Sequence, residues 1–203
     1  MKKLIIVIIL FLSMNAFSQN EMKPFRFYVS PSLHVGFFNP TEVNNYIATK
    51  AEESNLTTTA GSTDLIVNFN LGLGLGFRFV NIFEFQTVAE YSIAPKFIVV
   101  TNGESLSYTY SRFSGGLIAN LLIPLSSDER KTSFIVGGGL LYHNLSFEEY
   151  TSSTIAPRFQ IGISLNNNKF NPQILISGDI INASDNGFDL NYSGIRIGAN
   201  LNF

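Results

Sequence analysis

The stretch "LIVNFNLGLGLGFRF" (Leu65–Phe79) decides the fold. Leu65, Val67, Phe69, Leu71, Leu73, Leu75, Phe77 and Phe79 hold one parity, and Asn68, Asn70, Gly72, Gly74, Gly76 and Arg78 hold the other. A period of two sends successive side chains to opposite faces of an extended chain, so this segment is a β-strand with an apolar and a polar face. The next segment fixes its neighbour. If the polar residues of both strands share a face, the connection has an odd number of residues. Centred on Asn81, it sets Arg78 opposite Glu84, Phe79 opposite Phe83, Phe77 opposite Phe85 and Gly72 opposite Glu90. One register thus gives an ion pair on the polar face and four Phe rings on the apolar face.

The same alternation recurs to the end of the chain. It predicts eight strands over 25–37, 64–79, 83–100, 106–124, 132–146, 153–165, 170–181 and 188–203. The sixth places Ile155, Phe159, Ile161, Ile163 and Leu165 against Arg158, Gln160, Gly162 and Ser164. Connections after strands two, four and six are compact ("VNI", "SSDERK", "NNNK"). Those on the other side include 38–63, "SFEEYTSS" and "NASDNG", with the short "TNGES" joining two strands expected to project together. Short turns at one end and longer polar loops at the other suit an antiparallel barrel that crosses a membrane.

Alternation alone does not say which face is inside. A soluble barrel would turn its apolar face inward, and a membrane barrel inverts this. The kind of polar residue decides. Water-facing sheets carry Lys and Glu, partly to protect their edges. Here Lys131 and Lys169 fall at turns, and the polar face is Gly, Ser, Asn and Gln with a few ionisable residues. The apolar face is Leu, Ile, Val and Phe, with Phe near the turns. The expectation is therefore an all-β, eight-stranded antiparallel transmembrane β-barrel with one short loop helix.

Composition agrees. Charged residues make up 14% of the chain, against roughly 25% in typical soluble domains. No long apolar run follows the N-terminus. That N-terminus reads as an export signal: Lys2 and Lys3, then the apolar run Leu4 to Leu12, then small residues Ala16 and Ser18. The run falls short of the roughly 20 residues of a spanning helix. The expected division is a signal peptide over 1–18 and a barrel domain over 19–203, in the bacterial outer membrane. With no cysteine the chain carries neither disulfide nor a lipidated Cys. A net charge of -2 gives no electrostatic reason to expect nucleic acid as a partner.

The chain ends "RIGANLNF", with Ile197, Ala199, Leu201 and Phe203 on the apolar parity. Together with the export signal, eight alternating strands and long–short connections, this resembles the small OmpX/OmpA-type outer-membrane barrels. The resemblance implies that the terminal strand, through Ile197, Leu201 and Phe203, is the signal read by the barrel-assembly machinery. It also implies outer-membrane lipid as the surrounding medium.

Seven ionisable residues fall on the polar parity: Arg78, Glu84, Glu90, Arg112, Arg158, Asp179 and Arg196. In a lumen just wide enough for its own side chains they form a structural charge network, because buried charges persist only as hydrogen-bonded partners. Arg158 is expected diagonal to Asp179. "LGLGLG" lacks the spacing and the following helix of a phosphate loop; its glycines instead leave room for large side chains from across the barrel. His34 and His143 sit on the polar parity. "HNLSFEE" holds His, Ser and acid in series, but adjacent strand residues point to opposite faces, so no catalytic set and no enzyme are expected. Two histidines without Cys make no metal site, and no cofactor is expected.

"NPTEVNNYIATKA" (Asn39–Ala51) is read as a helix, with Asn39 as cap, Pro40 at its first position and Glu42 completing a capping box. Val43, Tyr46, Ile47 and Ala51 share a stripe, which serves as a lid over the mouth or as a partner-binding face. The leading expectation is a non-enzymatic, monomeric barrel with a structural or surface-interaction role, its external loops reaching any extracellular partner. The alternatives are a transport- or secretion-associated barrel subunit and a lipid-modifying outer-membrane enzyme.

Overall fold

The structure, a computed structural model, describes residues 25–53, 66–79, 82–99, 105–125, 132–165 and 170–203. The export segment 1–18, the loop "SNLTTTAGST" and the turn segments "SSDERK" and "NNNK" lie outside these residues, as do Asn81 and the first four residues of "TNGES". The elements are β1 (Phe25–Phe38), α1 (Thr41–Glu53), β2 (Ile66–Phe79), β3 (Phe83–Val99), β4 (Ser105–Pro124), β5 (Thr132–Phe147), β6 (Tyr150–Leu165), β7 (Asn171–Asp179), β8 (Ser184–Asp185), β9 (Phe188–Asp189) and β10 (Gly194–Asn202). Eight of the strands close a barrel in the order β1-β10-β7-β6-β5-β4-β3-β2, every neighbour antiparallel. Closure removes both sheet edges, so every barrel strand has a partner on each side.

The register of β2 on β3 is the one parity requires: Arg78 faces Glu84, Phe77 faces Phe85, Phe79 faces Phe83 and Gly72 faces Glu90. The Phe cluster is wider than expected, because Phe25 and Phe27 of β1 join Phe77, Phe79 and Phe85. The barrel seam closes β1 on β10, and Phe203 extends it through two backbone hydrogen bonds with Val29.

Three boundaries differ from the sequence reading. The connection "SFEEYTSS" is not a long loop: Phe147 pairs with Tyr150 across a two-residue turn, with Glu148 at φ 51°. Its polar residues belong to strands that rise past the mouth. Strand seven stops at Asp179 rather than at residue 181. The last barrel strand begins at Gly194, not 188. Between them the chain makes a small hairpin, β8–β9, through Asn186 and Gly187, both at positive φ (51° and 83°). Two positive-φ residues give a two-residue hairpin loop the twist of its strands, and Asn-Gly is the dipeptide that adopts it most easily.

The faces are sorted as the polar inventory implied. Leu71, Leu117, Ile155 and Ile195 point outward and are 63–70% exposed, whereas Arg78, Glu84, Arg112, Arg158 and Arg196 are at most 5% exposed. The glycines of β2 make room for side chains of the adjacent strands rather than from across the barrel. A Cβ on Gly72 would meet Glu90 of β3 at 2.9 Å, and one on Gly76 would meet the Tyr28 ring of β1 at 2.5 Å.

Candidate functional site

The interior has two storeys of opposite chemistry. The lower one is polar. Near the compact turns, Glu84 receives Arg78 Nη2 at 2.7 Å, Asn120 Nδ2 at 2.9 Å and Gln173 Nε2 at 3.0 Å, and Gln160 donates to Asn120 at 2.7 Å. These donors come from β2, β4 and β7 and converge on one carboxylate from β3, so the contact crosses the lumen.

Above this layer lies a five-residue charge cluster. Glu90 accepts from both Arg158 terminal nitrogens at 2.9 and 2.8 Å and from Arg196 Nη1 at 2.7 Å. Asp179 accepts from Arg158 Nε at 2.6 Å and from Arg112 Nη1 at 3.0 Å. Arg158 and Asp179 are directly opposite in the β6–β7 register, not diagonal. Arg112 also donates to Asn70 at 3.0 Å, and Arg196 to Ser177 at 2.7 Å. All seven sequence-predicted ionisable residues are buried in the lumen, and each makes at least one ion pair. The residues that reasoning from sequence missed are the amide and hydroxyl partners: Asn70, Asn120, Gln160, Gln173 and Ser177. Parity placed them inward, but only closure decides which of them meet.

The two histidines go to separate places. His143 faces Ser114 across β4–β5, with Nδ1 2.8 Å from its hydroxyl, and both are fully buried. In "HNLSFEE" the inward His143 and the outward Ser146 lie on opposite faces, with Glu148 and Glu149 in the turn, so that series does not assemble. His34 sits in β1, 3% exposed.

The upper storey is apolar. Phe38, Val43, Ile47, Ile66, Ala94, Tyr110, Leu145, Phe147, Ala156, Ile181, Leu190 and Tyr192 form one buried cluster. Its members come from β1 through β6, from α1 and from the segment between β7 and β10, so it spans the mouth from wall to wall. Helix α1 lies over it. Val43, Ile47 and Ala51 are at most 2% exposed, and Tyr46 meets Tyr108, Phe147, Tyr150 and Phe188 edge-on at 5.5–6.2 Å. The stripe is thus the face that packs down on this cluster. The helix opens with the Pro40 carbonyl accepting from Asn44 N and begins at Thr41, one residue later than the capping box implied. Asn39 instead receives the Asn44 side chain at 3.1 Å.

The loop carrying β8–β9 folds inward. Leu190 N bonds Ala183 O at 2.7 Å and Tyr192 N bonds Ile181 O at 3.2 Å, which delivers Ile181, Leu190 and Tyr192 to the cluster. Tyr192 is the boundary between storeys. Its ring stacks on Phe38 at 3.9 Å, meets Tyr110 edge-on at 5.1 Å and lies 4.2 Å from the Arg112 guanidinium, and its hydroxyl is 2.6 Å from Ser92. Asn186–Gly187 between two alternating runs was the signal for this inward hairpin.

On the outside the polarity exchanges at the same height. Along β4, Phe113 points out and Arg112 in, whereas above them Ser111 and Thr109 point out and Tyr110 in. Along β5, Tyr142 is out and His143 in, then Asn144 and Ser146 are out and Leu145 and Phe147 in. Along β6, Ile155 is out and Arg158 in, with Ser153 and Thr151 outward above and Ala156 inward. Below this line the barrel is inside out; above it, the strands enclose an apolar core as a water-soluble sheet does.

No protein-family model matches the chain, and no curated protein matches its sequence. Solved structures do. Neisserial surface protein A (NspA) aligns with a TM-score of 0.57 at 12% identity, over 89% of this chain and 96% of that one. Ail, the attachment invasion locus protein of Yersinia pestis, crystallised with the heparin analogue sucrose octasulfate, aligns at 0.43 and 12% identity over 90% and 100%. The N-terminal β-barrel domain of Pseudomonas aeruginosa OprF aligns at 0.35 and 9% identity over 86% and 97%. The likeness to NspA is one of fold: an eight-stranded closed barrel of the size and order that the OmpX/OmpA-type resemblance implied.

Proposed function

We propose that the chain is a bacterial outer-membrane barrel without enzymatic activity, whose spanning part is a sealed scaffold and whose working surface is the storey above the lipid. The exchange of polarity on β4, β5 and β6 carries this reading. A continuous face of exposed Leu, Ile, Val and Phe is unfavourable in water over so large an area and favourable against acyl chains. The outward apolar run from Phe113 to Ile123 on β4 rises roughly 25 Å once tilted, the height of a barrel's lipid band. NspA, a surface protein with this fold, supports the location.

The lumen supports a structural rather than a conducting role, since charged pairs fill it below and an aromatic cluster fills it above. The sealed Ser114–His143 pair has no approach for an acyl chain, which supports a non-enzymatic reading over a lipid-modifying one. Processing near Gln19 would release the barrel domain. Ile197, Leu201 and Phe203 would serve the barrel-assembly machinery, with Phe203 stacked on Phe170 at 6.0 Å in the finished barrel. The barrel would act as a monomer, and α1 with the projecting β3–β4 and β5–β6 hairpins would meet any extracellular partner.

The test is electrophoresis of outer-membrane fractions with and without boiling. The expected result is a heat-modifiable band confined to those fractions, together with baseline conductance in planar bilayers. Recovery in the aqueous phase without detergent would overturn the membrane reading. Steady conductance would favour the transport-associated barrel, and altered membrane lipid in wild type against His143→Ala would favour the enzyme.

A further inference from the structure

We propose that the lumen binds one small monovalent anion of halide size beside Arg112. Among the described residues the charge cluster is not balanced. Three guanidiniums (Arg112, Arg158 and Arg196) face two carboxylates (Glu90 and Asp179), which leaves 3 − 2 = +1 at side chains no more than 6% exposed. The lower pair, Arg78 with Glu84, is balanced and contributes nothing to this excess. Both carboxylates of the cluster are already engaged by two arginines each. An uncompensated charge held out of water is costly until a counter-charge joins it.

Donors without acceptors lie in the same place. Among the described residues, neither Arg112 Nε nor His143 Nε2 has a hydrogen-bond partner, and both atoms are buried. His143 faces Ser114, two residues along β4 from Arg112, so the imidazole and the guanidinium are diagonal neighbours on the lumen face. Tyr192 roofs the guanidinium at 4.2 Å and separates it from the mouth.

The chemistry selects the ligand. The excess is positive, so a cation is excluded. The barrel is only wide enough for its own side chains, so the anion is monatomic or nearly so. Such an ion also fixes the His143 tautomer: Ser114 donates its hydroxyl proton to Nδ1, and Nε2 carries the hydrogen that meets the anion.

Bromide is the probe. Protein purified in detergent and crystallised from sodium bromide should give an anomalous peak in hydrogen-bond contact with Arg112 Nε. Water alone at that position overturns the proposal. In solution, replacing gluconate by bromide at equal ionic strength should raise the folded-to-unfolded ratio in urea, by about tenfold at ten times the dissociation constant. Arg112→Gln brings the cluster to 2 − 2 = 0 and should abolish the bromide effect; an undiminished effect overturns the proposal. Should that variant fail to fold, the anomalous experiment on the wild type decides alone.

Discussion

Glu84 shows how much of the lumen hangs on single side chains. It is fully buried, and Arg78, Asn120 and Gln173 all donate to it. Glu84→Gln withdraws the carboxylate that faces a buried guanidinium and should cost about 3–5 kcal/mol. The double change Arg78→Met with Glu84→Leu should cost less than the single one, because no buried charge is left behind. Urea midpoints of protein refolded into vesicles would compare the three. Gly76 is the steric counterpart. A Cβ there meets the Tyr28 ring at 2.5 Å and the Phe85 carbonyl at 2.7 Å, and the latter is backbone that cannot swing away. Gly76→Val should therefore destabilise by about 1–3 kcal/mol in the same assay. At this scale parity in the sequence placed the seven charges inward and paired Arg78 with Glu84. The contacts from Glu90 to Arg196 and from Arg112 to Asp179 were out of reach, because they depend on how far the closed sheet is sheared.

Helix α1 and the β8–β9 hairpin close the mouth by different means, and they were unequally legible. The helix was visible in "NPTEVNNYIATKA" because its stripe of Val43, Ile47 and Ala51 has helical spacing inside a β-protein. What lay beneath it was hidden, since the cluster draws on six strands far apart in sequence. Ile47→Asp puts a charge into that cluster and should release the lid. Hydrogen exchange at the α1 amides should accelerate by at least tenfold while the band stays heat-modifiable, because the barrel walls do not depend on the helix. The hairpin was missed because 188–203 reads as one alternating run. Ile181, Leu190 and Tyr192 look like strand residues, and the break comes from Asn186–Gly187 turning the chain back. Gly187 at φ 83° has open space around its missing Cβ, so Gly187→Val would act through the backbone alone. It should cost about 1–3 kcal/mol of local stability and loosen the Tyr192 roof, read as faster exchange at Leu190 and Tyr192.

The molecule as a whole is one sheet whose two faces trade roles partway up, and this makes the membrane reading sharply testable. Leu140 and Ser146 both point outward from β5, six residues apart, with Tyr142 and Asn144 between them. If water surrounded the whole barrel, an arginine at either position would be a surface substitution with an effect within about 0.5 kcal/mol. If lipid surrounds the lower storey, Leu140→Arg carries a charge into hydrocarbon and should cost about 2–4 kcal/mol, whereas Ser146→Arg, above the exchange, should cost about 0–1 kcal/mol. The same contrast should hold on β6 between Phe159→Arg and Thr151→Arg, and on β4 between Leu117→Arg and Thr109→Arg. Unfolding free energies in vesicles would therefore trace the upper lipid boundary residue by residue. A profile that is flat across Tyr142 and Ile155 would show that the apolar exterior faces something other than acyl chains. A step at that height on all three strands would place the lid, its aromatic floor and both projecting hairpins clear of the membrane, where a partner can reach them.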